Sequence, residues 1–226
     1  RPTTTLTLPA AALAAALRAV RFAVGADPAF PVLGGVLLDV GADALTVVAT
    51  DRYRLAVSSL PAHVLAGPGV AAVVPAVFAD ELAALPAGDV GLHVDGVAIS
   101  ARAGSAVLDG RLLDAPFPDY RRLLPTGGTH PVAVDAGGLR AAVAAGATRR
   151  GPRDTEVTVL SVDAAGRLVV AAEGEGVGVD AEFLLEAVDA GGAGQLLLEL
   201  DGPLAPVTIR SASRADTFSL LMPVRL

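Results

Sequence analysis

The chain has 226 residues and a formal net charge of −7, with 53% hydrophobic but only 4% aromatic residues, which suits one or two domains with an Ala, Val and Leu core. The negative charge argues against a uniformly basic nucleic-acid-binding protein, although a few arginines could still share one inner face. No apolar run approaches the roughly 20 residues of a membrane span, no signal peptide pattern stands at the start, and cysteine is absent, so we predict a cytoplasmic protein without membrane contact.

The first half of the chain predicts two strand-then-helix units, each followed by further strands. Thr5–Leu8 alternates as a strand, and Pro9 opens a helix with Leu13, Leu17, Val20 and Val24 on one face. A second helix follows Pro75 and carries Val77, Phe78, Leu82 and Leu85. The other predicted strands are Val32–Val40, Leu45–Ala49, Arg54–Leu60, Val70–Val74, Val90–Val94, Val97–Ala101 and Ala106–Leu113.

The second half repeats this plan. Leu45–Ala49 resembles Leu168–Ala171, and Leu92–Gly96 resembles Leu198–Gly202. We therefore predict two domains, 1–124 and 125–226. The predicted elements of the second are strands Pro131–Asp135, Val157–Val162, Leu168–Ala172, Gln195–Leu200, Val207–Ser211 and Thr217–Val224, with helices at 138–148 (Leu139 and Val143 buried) and Glu182–Ala190.

One strand pair is absent from the second copy. Where the first copy has Ala49–Gly69, the second has only Glu173–Asp180, whose glycines favour a flexible loop. Either the pair is deleted or residues are missing from the sequence at this point.

The segment Ala49–Ala56 predicts a tight reversal between two strands at its Thr-Asp corner. Two arginines and a tyrosine follow that corner, where a simple turn does not need them. The segment resembles the signature of the bacterial DNA polymerase III beta subunit, the sliding clamp. Phe30–Leu37, Leu112–Pro125 and Leu220–Leu226 resemble the same family, in the same order along the chain.

This resemblance covers the whole chain but only the middle and C-terminal domains of the family. It implies an α+β, DNA-clamp fold of two repeated domains, each with two inner helices and outer antiparallel sheets. In the family, a hydrophobic cleft between the second and third domains receives a short linear motif from polymerases and other partners. Carried over by position, the cleft residues are Leu33, Thr50, Arg52, Tyr53, Arg54, Leu55, Pro118, Arg122, Leu123, Leu220, Met222, Pro223, Val224 and Arg225.

The residue types suit that role, because leucines and a flexible thioether form an adaptable slot and rim arginines hold a peptide carboxylate or carbonyl. Taken singly, they also fit ordinary roles. Leu220 and Met222 are typical of a core strand, and Arg52 and Arg54 of a solvated edge. The joint match favours the cleft.

The resemblance also implies DNA-facing positive side chains on the inner helices. The candidates are Arg18, Arg21, Arg140, Arg149, Arg150 and Arg153. Acidic residues on the second and fourth helices oppose this role, and solvated helix faces remain the alternative. No cofactor, metal or catalytic site is expected, because His63, His93 and His130 lack metal-ligand spacing and Gly174–Gly178 lacks a phosphate-loop context.

We therefore expect a non-enzymatic, sliding-clamp-like module that binds partner proteins through a linear motif and contacts double-stranded DNA non-specifically in replication. Because the only methionine is Met222, we expect a longer natural chain. Without the family's first domain the usual dimeric ring interface is missing, and a homo-oligomer is left open. The alternative is the partner- or effector-sensing C-terminal region of a MerR-type helix-turn-helix transcriptional regulator.

Overall fold

The computed structural model describes residues 3–125, 131–152 and 154–225. Its internal contacts divide the chain into two compact units, Arg1–Tyr120 and Arg121–Leu226, called unit 1 and unit 2 below. The division falls shortly before the boundary expected at residues 124 and 125. None of the helices in the described segments has the length and apolar character that a membrane crossing needs.

Unit 1 contains eleven regular elements in the order predicted, with one strand more than expected. They are β1 Thr4–Pro9, α1 Ala10–Val20, β2 Gly35–Val40, β3 Ala44–Thr50, β4 Arg54–Pro61, β5 His63–Ala66, β6 Val70–Pro75, α2 Ala76–Leu82, β7 Asp89–Val94, β8 Ala98–Ala103 and β9 Ala106–Arg111. One antiparallel sheet has the order β5-β1-β7-β8-β9, and β4-β3-β2-β6 are neighbours in a second. The core between them includes Leu6, Leu13, Leu38, Leu45, Leu82 and Leu92, all fully buried.

Three local differences from the predictions in unit 1 have physical reasons. The strand predicted from Val32 begins only at Gly35, because Pro31–Gly34 forms a 3-10 turn in which the Leu33 N–H donates to the Phe30 carbonyl at 3.0 Å. Val77 is 69% exposed, since α2 turns its buried face toward the sheet through Phe78 and Leu82. The unpredicted strand β5 forms because β1 offers it an open edge.

Unit 2 has the same kind of architecture with fewer strands. Its elements are β10 Val132–Asp135, α3 Ala136–Ala144, β11 Arg149–Arg150, β12 Glu156–Val162, β13 Leu168–Ala171, β14 Val177–Asp180, α4 Ala181–Gly191, β15 Gln195–Leu200, β16 Val207–Ser211 and β17 Arg214–Leu221. One set of neighbours is β10-β15-β16-β17, and in the other β12 pairs with β11, β13 and β14. The core includes Leu160, Leu184, Leu196, Leu198 and Ile209.

Two predictions in unit 2 need correction. Helix α3 starts at Ala136 rather than at residue 138, because the Asp135 carboxylate caps it by accepting the Gly138 N–H at 2.7 Å. The segment predicted as a flexible loop contains strand β14, which pairs with β12 and is buried along its whole length. Long-range pairing, which local composition does not report, makes this glycine-containing segment a strand.

Equivalent backbone bonds recur in the two units. The first N–H of α1 donates to Gly88 at 2.8 Å, and the first of α3 donates to Gly194 at 2.9 Å. After the last strand of each unit the chain returns to bond β6 or β14, through Leu113 to Val73 and Val224 to Gly178, both at 2.8 Å. Strands β4 and β5 have no counterpart among the described residues of unit 2, where the chain passes from β13 to β14 through residues 172–176.

Candidate peptide-binding site

The corner between β3 and β4 is held by its own side chains. Thr50 and Leu55 are the last paired residues of the hairpin, and the Thr50 hydroxyl donates to the Arg54 carbonyl at 2.6 Å. The Asp51 carboxylate accepts the backbone N–H groups of Tyr53 and Arg54 at 2.9 and 3.0 Å. These bonds replace the ladder that ends here, so the corner has one defined shape.

Arg54 lies beneath the corner as a buried cation. Its Nε donates to the Asp51 carboxylate at 2.9 Å, and both side chains are nearly covered. Its guanidinium also lies 5.3 Å from the centre of the Phe22 ring. Because a buried charge is tolerated only with such partners, Arg54 anchors the corner from below.

Arg52 projects from the top of the corner in an unusual conformation. Its φ is +81°, a left-handed backbone region that costs a residue with a Cβ about 1–2 kcal/mol. The guanidinium stacks 3.9 Å from the centre of the Phe30 ring and lies 5.6 Å from that of Tyr53. It also donates to the Asp27 carboxylate at 2.7 Å.

The loop that carries Asp27 and Phe30 is fixed against the corner. The Gly25 N–H donates to the Leu33 carbonyl at 2.8 Å. A Cβ at Gly25 would lie 3.1 Å from that of Leu33 and 3.5 Å from the Asp51 Cα, so only glycine packs here without displacement. This close approach brings the aromatic ring of Phe30 under Arg52.

The exposed part of this arrangement is a small amphipathic surface, which we call the Arg52 corner and define as Asp27, Phe30, Arg52 and Tyr53. Phe30 and Tyr53 are each 40% exposed, as is the Arg52 side chain. It offers ring faces and a guanidinium, which has five N–H donors in a planar fork.

The predicted cleft residues of unit 1 fall into two groups. Arg52 and Tyr53 belong to the exposed corner, and Pro118 is also exposed. Leu33, Thr50, Arg54 and Leu55 are buried, so they support the corner rather than line an open slot.

The predicted residues of unit 2 lie at its two ends. Arg122 and Leu123 are exposed within the 3-10 turn Tyr120–Leu123. Of the C-terminal set, Leu220 and Val224 are buried, Met222 and Pro223 are half-buried, and Arg225 is exposed.

Sequence reasoning missed four residues that build the corner: Phe22, Asp27, Phe30 as a stacking partner, and Asp51. Asp51 stands within the Thr-Asp-Arg-Tyr-Arg run, and an Asp that precedes a turn commonly bonds the backbone ahead of it, so the sequence carried a signal for it. Asp27 and Phe30 are more than twenty residues from Arg52, and no local pattern links them.

Four of the six predicted DNA-facing arginines bond groups of the chain itself. Arg21 makes a two-point ion pair with Asp80 at 2.7 and 3.0 Å, and Arg18 donates to the Ala83 carbonyl at 2.9 Å. In unit 2, Arg140 pairs with Asp189 and Arg150 with Asp154. The Arg149 Nε is buried without a hydrogen-bond partner among the described residues. Arg153 lies outside the described residues.

The described residues were also compared with the arrangements that metal and catalytic sites need. No cluster of three or more His, Asp or Glu side chains within them could hold a metal ion. Asp163 lies on the turn before β13. Hydrogen bonds from the backbone and side chain of Arg167 lower the pKa of this carboxyl below its ordinary value, as expected of a turn carboxylate.

Comparisons with known proteins agree with this fold. The family model for the DNA polymerase III beta subunit, central domain, matches residues 7–119. The beta sliding clamp of Pseudomonas aeruginosa is 30% identical over 213 residues, covering 86% of this chain and 58% of that protein. That of Escherichia coli K12 is 27% identical over 245 residues, covering 97% of this chain and 65% of that protein.

Solved structures give the same result. The crystal structure of the DNA polymerase III subunit beta from Pseudomonas aeruginosa matches with a TM-score of 0.86 at 25% identity, covering 98% of this chain and 66% of that one. The chain thus spans about three fifths to two thirds of the length of these proteins. The predicted DNA-clamp fold is confirmed, and the prediction of a non-enzyme agrees with relatives that are named as clamps. The chain belongs to the DNA polymerase III beta subunit, or beta sliding clamp, family.

Proposed function

We propose that this chain is a non-enzymatic clamp module in DNA replication that captures extended peptide segments of partner proteins at the Arg52 corner. The observation that carries the proposal is the strained backbone of Arg52, whose φ is +81°. Strain of this kind persists where the surroundings impose it, and it clusters at binding sites. Here it holds a guanidinium and two half-exposed rings on one surface.

The chemistry of the corner suits a peptide. Aromatic faces bind apolar side chains at low cost in conformational entropy, and a guanidinium binds a carboxylate or a backbone carbonyl. Asp27 orients Arg52 through a 2.7 Å hydrogen bond, so its fork is presented in a fixed direction. The family resemblance adds further residues to the proposed peptide site. They are Leu33, Thr50, Arg54, Leu55 and Pro118 of unit 1 and Arg122, Leu123, Leu220, Met222, Pro223, Val224 and Arg225 of unit 2.

The test measures binding of a fluorescent pentapeptide that carries the family's linear motif, with a scrambled peptide as reference. We expect a Kd of about 1 µM or weaker, near −8 kcal/mol. Tyr53→Ala and Arg52→Ala should each weaken binding about tenfold, the size of a moderate interface truncation. Their matched controls are Val107→Ala and Arg102→Ala, both exposed strand positions in unit 1, which should leave binding unchanged.

Leu55→Ala is unsuitable as a binding variant, because Leu55 is buried and its truncation destabilises the fold by about 2–5 kcal/mol. Met222→Ala, at a half-buried position, tests the C-terminal set separately. Absence of motif-specific binding, or equal losses in the control variants, would remove the peptide-capture role.

The charges of the helices oppose contact with double-stranded DNA. Helices α2 and α4 carry Asp80, Glu81, Glu182, Glu186 and Asp189, against single arginines on α1 and α3. This charge pattern favours the second candidate function, a partner-sensing region of a MerR-type regulator. Sequencing the gene upstream of the codon for Arg1 separates the two, because a clamp first domain there would support replication and a helix-turn-helix would support regulation.

A further inference from the structure

Two strand edges are open among the described residues of unit 2, whereas the equivalent edges of unit 1 are covered by further strands of that unit. In unit 1, β4 pairs along the whole of β3, and β5 pairs with β1. No such strand pair exists among the described residues of unit 2, where β13 pairs only with β12 and β10 only with β15. Unpaired edges expose backbone N–H and C=O groups that can accept another strand.

The registers show which residues of the two units correspond. The strand before α2 ends at Pro75, opposite Gly35, and the strand before α4 ends at Asp180, opposite Val157. Counting along the β2–β3 and β12–β13 ladders then gives four equivalent pairs. These are Leu45 with Leu168, Thr46 with Val169, Val47 with Val170, and Val48 with Ala171.

Without counterparts of β4 and β5, the equivalent residues of unit 2 are less buried than those of unit 1. Leu45 and Val47 are fully buried in unit 1, whereas Leu168 and Val170 are only half-buried. They line a groove of about 310 Å³ together with Ala133 and Val134 of β10 and Leu139 and Ala142 of α3. This volume lies at the lower end of ordinary ligand sites.

The charges around the groove are already matched. Asp135 caps α3 through the Gly138 N–H, and Arg167 pairs with Asp163 at 2.9 Å. Strand β13 itself, Leu-Val-Val-Ala, contains no charged residue and no proline. The site therefore favours an uncharged occupant.

We propose that this groove binds an extended, uncharged, apolar segment of a partner protein, which adds to β13 as an antiparallel strand. The cover in unit 1 is the model for it, since β4 crosses from the edge of β3 and continues into β5 at the edge of β1. A flexible peptide can follow that path into the corner between two sheets. The folded β13 of a second copy, four residues long, can reach only one of the two edges.

The sequence of β13 also specifies the occupant. In unit 1, Thr46 faces Ser59 across the ladder, and their hydroxyl groups are 3.0 Å apart. At the equivalent position unit 2 has Val169, which is 39% exposed. The partner residue opposite Val169 is therefore apolar, where β4 has a serine.

The probe is a fluorescent, acetylated and amidated peptide with the sequence of Leu55–Ala66, added to the full chain. Replacing its Ser59 by Val should tighten binding about 1.5- to fivefold, the range of a favourable cross-strand pair. A peptide with Glu in place of Ser59 should bind the native chain more weakly. The Val169→Lys variant should bind this Glu peptide as well as the native chain binds the original peptide. Val107→Lys, at an exposed valine of β9, is the matched control. Hydrogen exchange of the amides of β13 and β10 should slow on binding, and that of β9 should not.

Each outcome decides the proposal. Slowed exchange at β13, with recovery of Glu-peptide binding in Val169→Lys alone, supports it. No binding, protection elsewhere, or a charge exchange without effect overturns it. Concentration-dependent dimerisation that Val169→Lys abolishes and the peptide does not compete with also overturns it, because the edge would then join two copies of this chain.

Discussion

Replacing Arg52 by glycine and by alanine should have different effects on the stability of unit 1. Both changes remove the stack on Phe30 and the ion pair with Asp27. An exposed cation–π contact contributes about 0.5–1 kcal/mol, and an exposed ion pair about 0–1 kcal/mol. Alanine keeps the strain of φ +81°, whereas glycine adopts that φ readily.

The expected losses in the free energy of unfolding are about 1–2 kcal/mol for Arg52→Ala and about 0–1 kcal/mol for Arg52→Gly. Glycine should therefore be about 1 kcal/mol more stable than alanine at this position. Arg102, exposed on the extended strand β8, is the matched control. There the order reverses, because glycine within a strand is less stable than alanine by roughly 0.5–1 kcal/mol.

Urea unfolding followed by tyrosine fluorescence measures this difference. The chain has two tyrosines and no tryptophan, and Tyr53 and Tyr120 both belong to unit 1. The signal therefore reports on the unit that contains Arg52. If glycine is no more stable than alanine at position 52, or if position 102 shows the same order, backbone strain at the corner is not the cause and the central argument for the binding site is lost.

Two further predictions concern packing and pH. Gly110→Ala should destabilise unit 1 by about 1–3 kcal/mol, because its Cβ would lie 2.7 Å from the Phe78 ring. Gly91→Ala should stabilise unit 1 by about 0.5–1 kcal/mol, because no atom lies closer than 4.0 Å to its Cβ. Equal urea midpoints for the two variants would contradict this. The lowered pKa of Asp163 means that its contribution to stability is complete above its unfolded pKa and is lost as pH falls through its folded pKa. In an NMR titration Arg167→Ala should raise that pKa part of the way toward 3.8, because the variant keeps the backbone N–H donor and loses only the side-chain hydrogen bond and the positive charge. An unchanged titration would show that the Arg167 side chain does not contribute.

Patterns that follow local rules could be predicted from the sequence. Alternating apolar residues located β1, β3 and β7, and helical spacing put Leu13 and Leu17 in the core, as found. The absence of one strand pair was also predictable, because the spacing between equivalent segments is shorter in the second copy.

Features that depend on distant partners were not predictable in the same way. Strand β14 is Val-Gly-Val-Asp, which has weak strand propensity, and it forms because β12 supplies a partner ladder. The Phe30 ring meets Arg52 because Gly25 lets two loops approach closely. The left-handed φ of Arg52 is unexpected for an arginine, and it follows from the Asp51 and Thr50 hydrogen bonds around it.

The ion pairs of the helices set a condition on any contact with DNA. A phosphate that takes Arg21 must displace the Asp80 carboxylate, which pairs with it at two points, and the displaced carboxylate then faces a polyanion. The same holds for Arg140 and Asp189. Each exposed pair costs less than about 1 kcal/mol to open, yet the net positive charge gained is close to zero. The affinity for DNA should therefore depend only weakly on salt, because the slope of the logarithm of the binding constant against the logarithm of the salt concentration reports the number of phosphates neutralised. DNA tracking therefore requires positive charge beyond these helices. Arg52 is likewise paired with a carboxylate, that of Asp27, so the proposed peptide binding at the Arg52 corner depends also on the exposed rings of Phe30 and Tyr53.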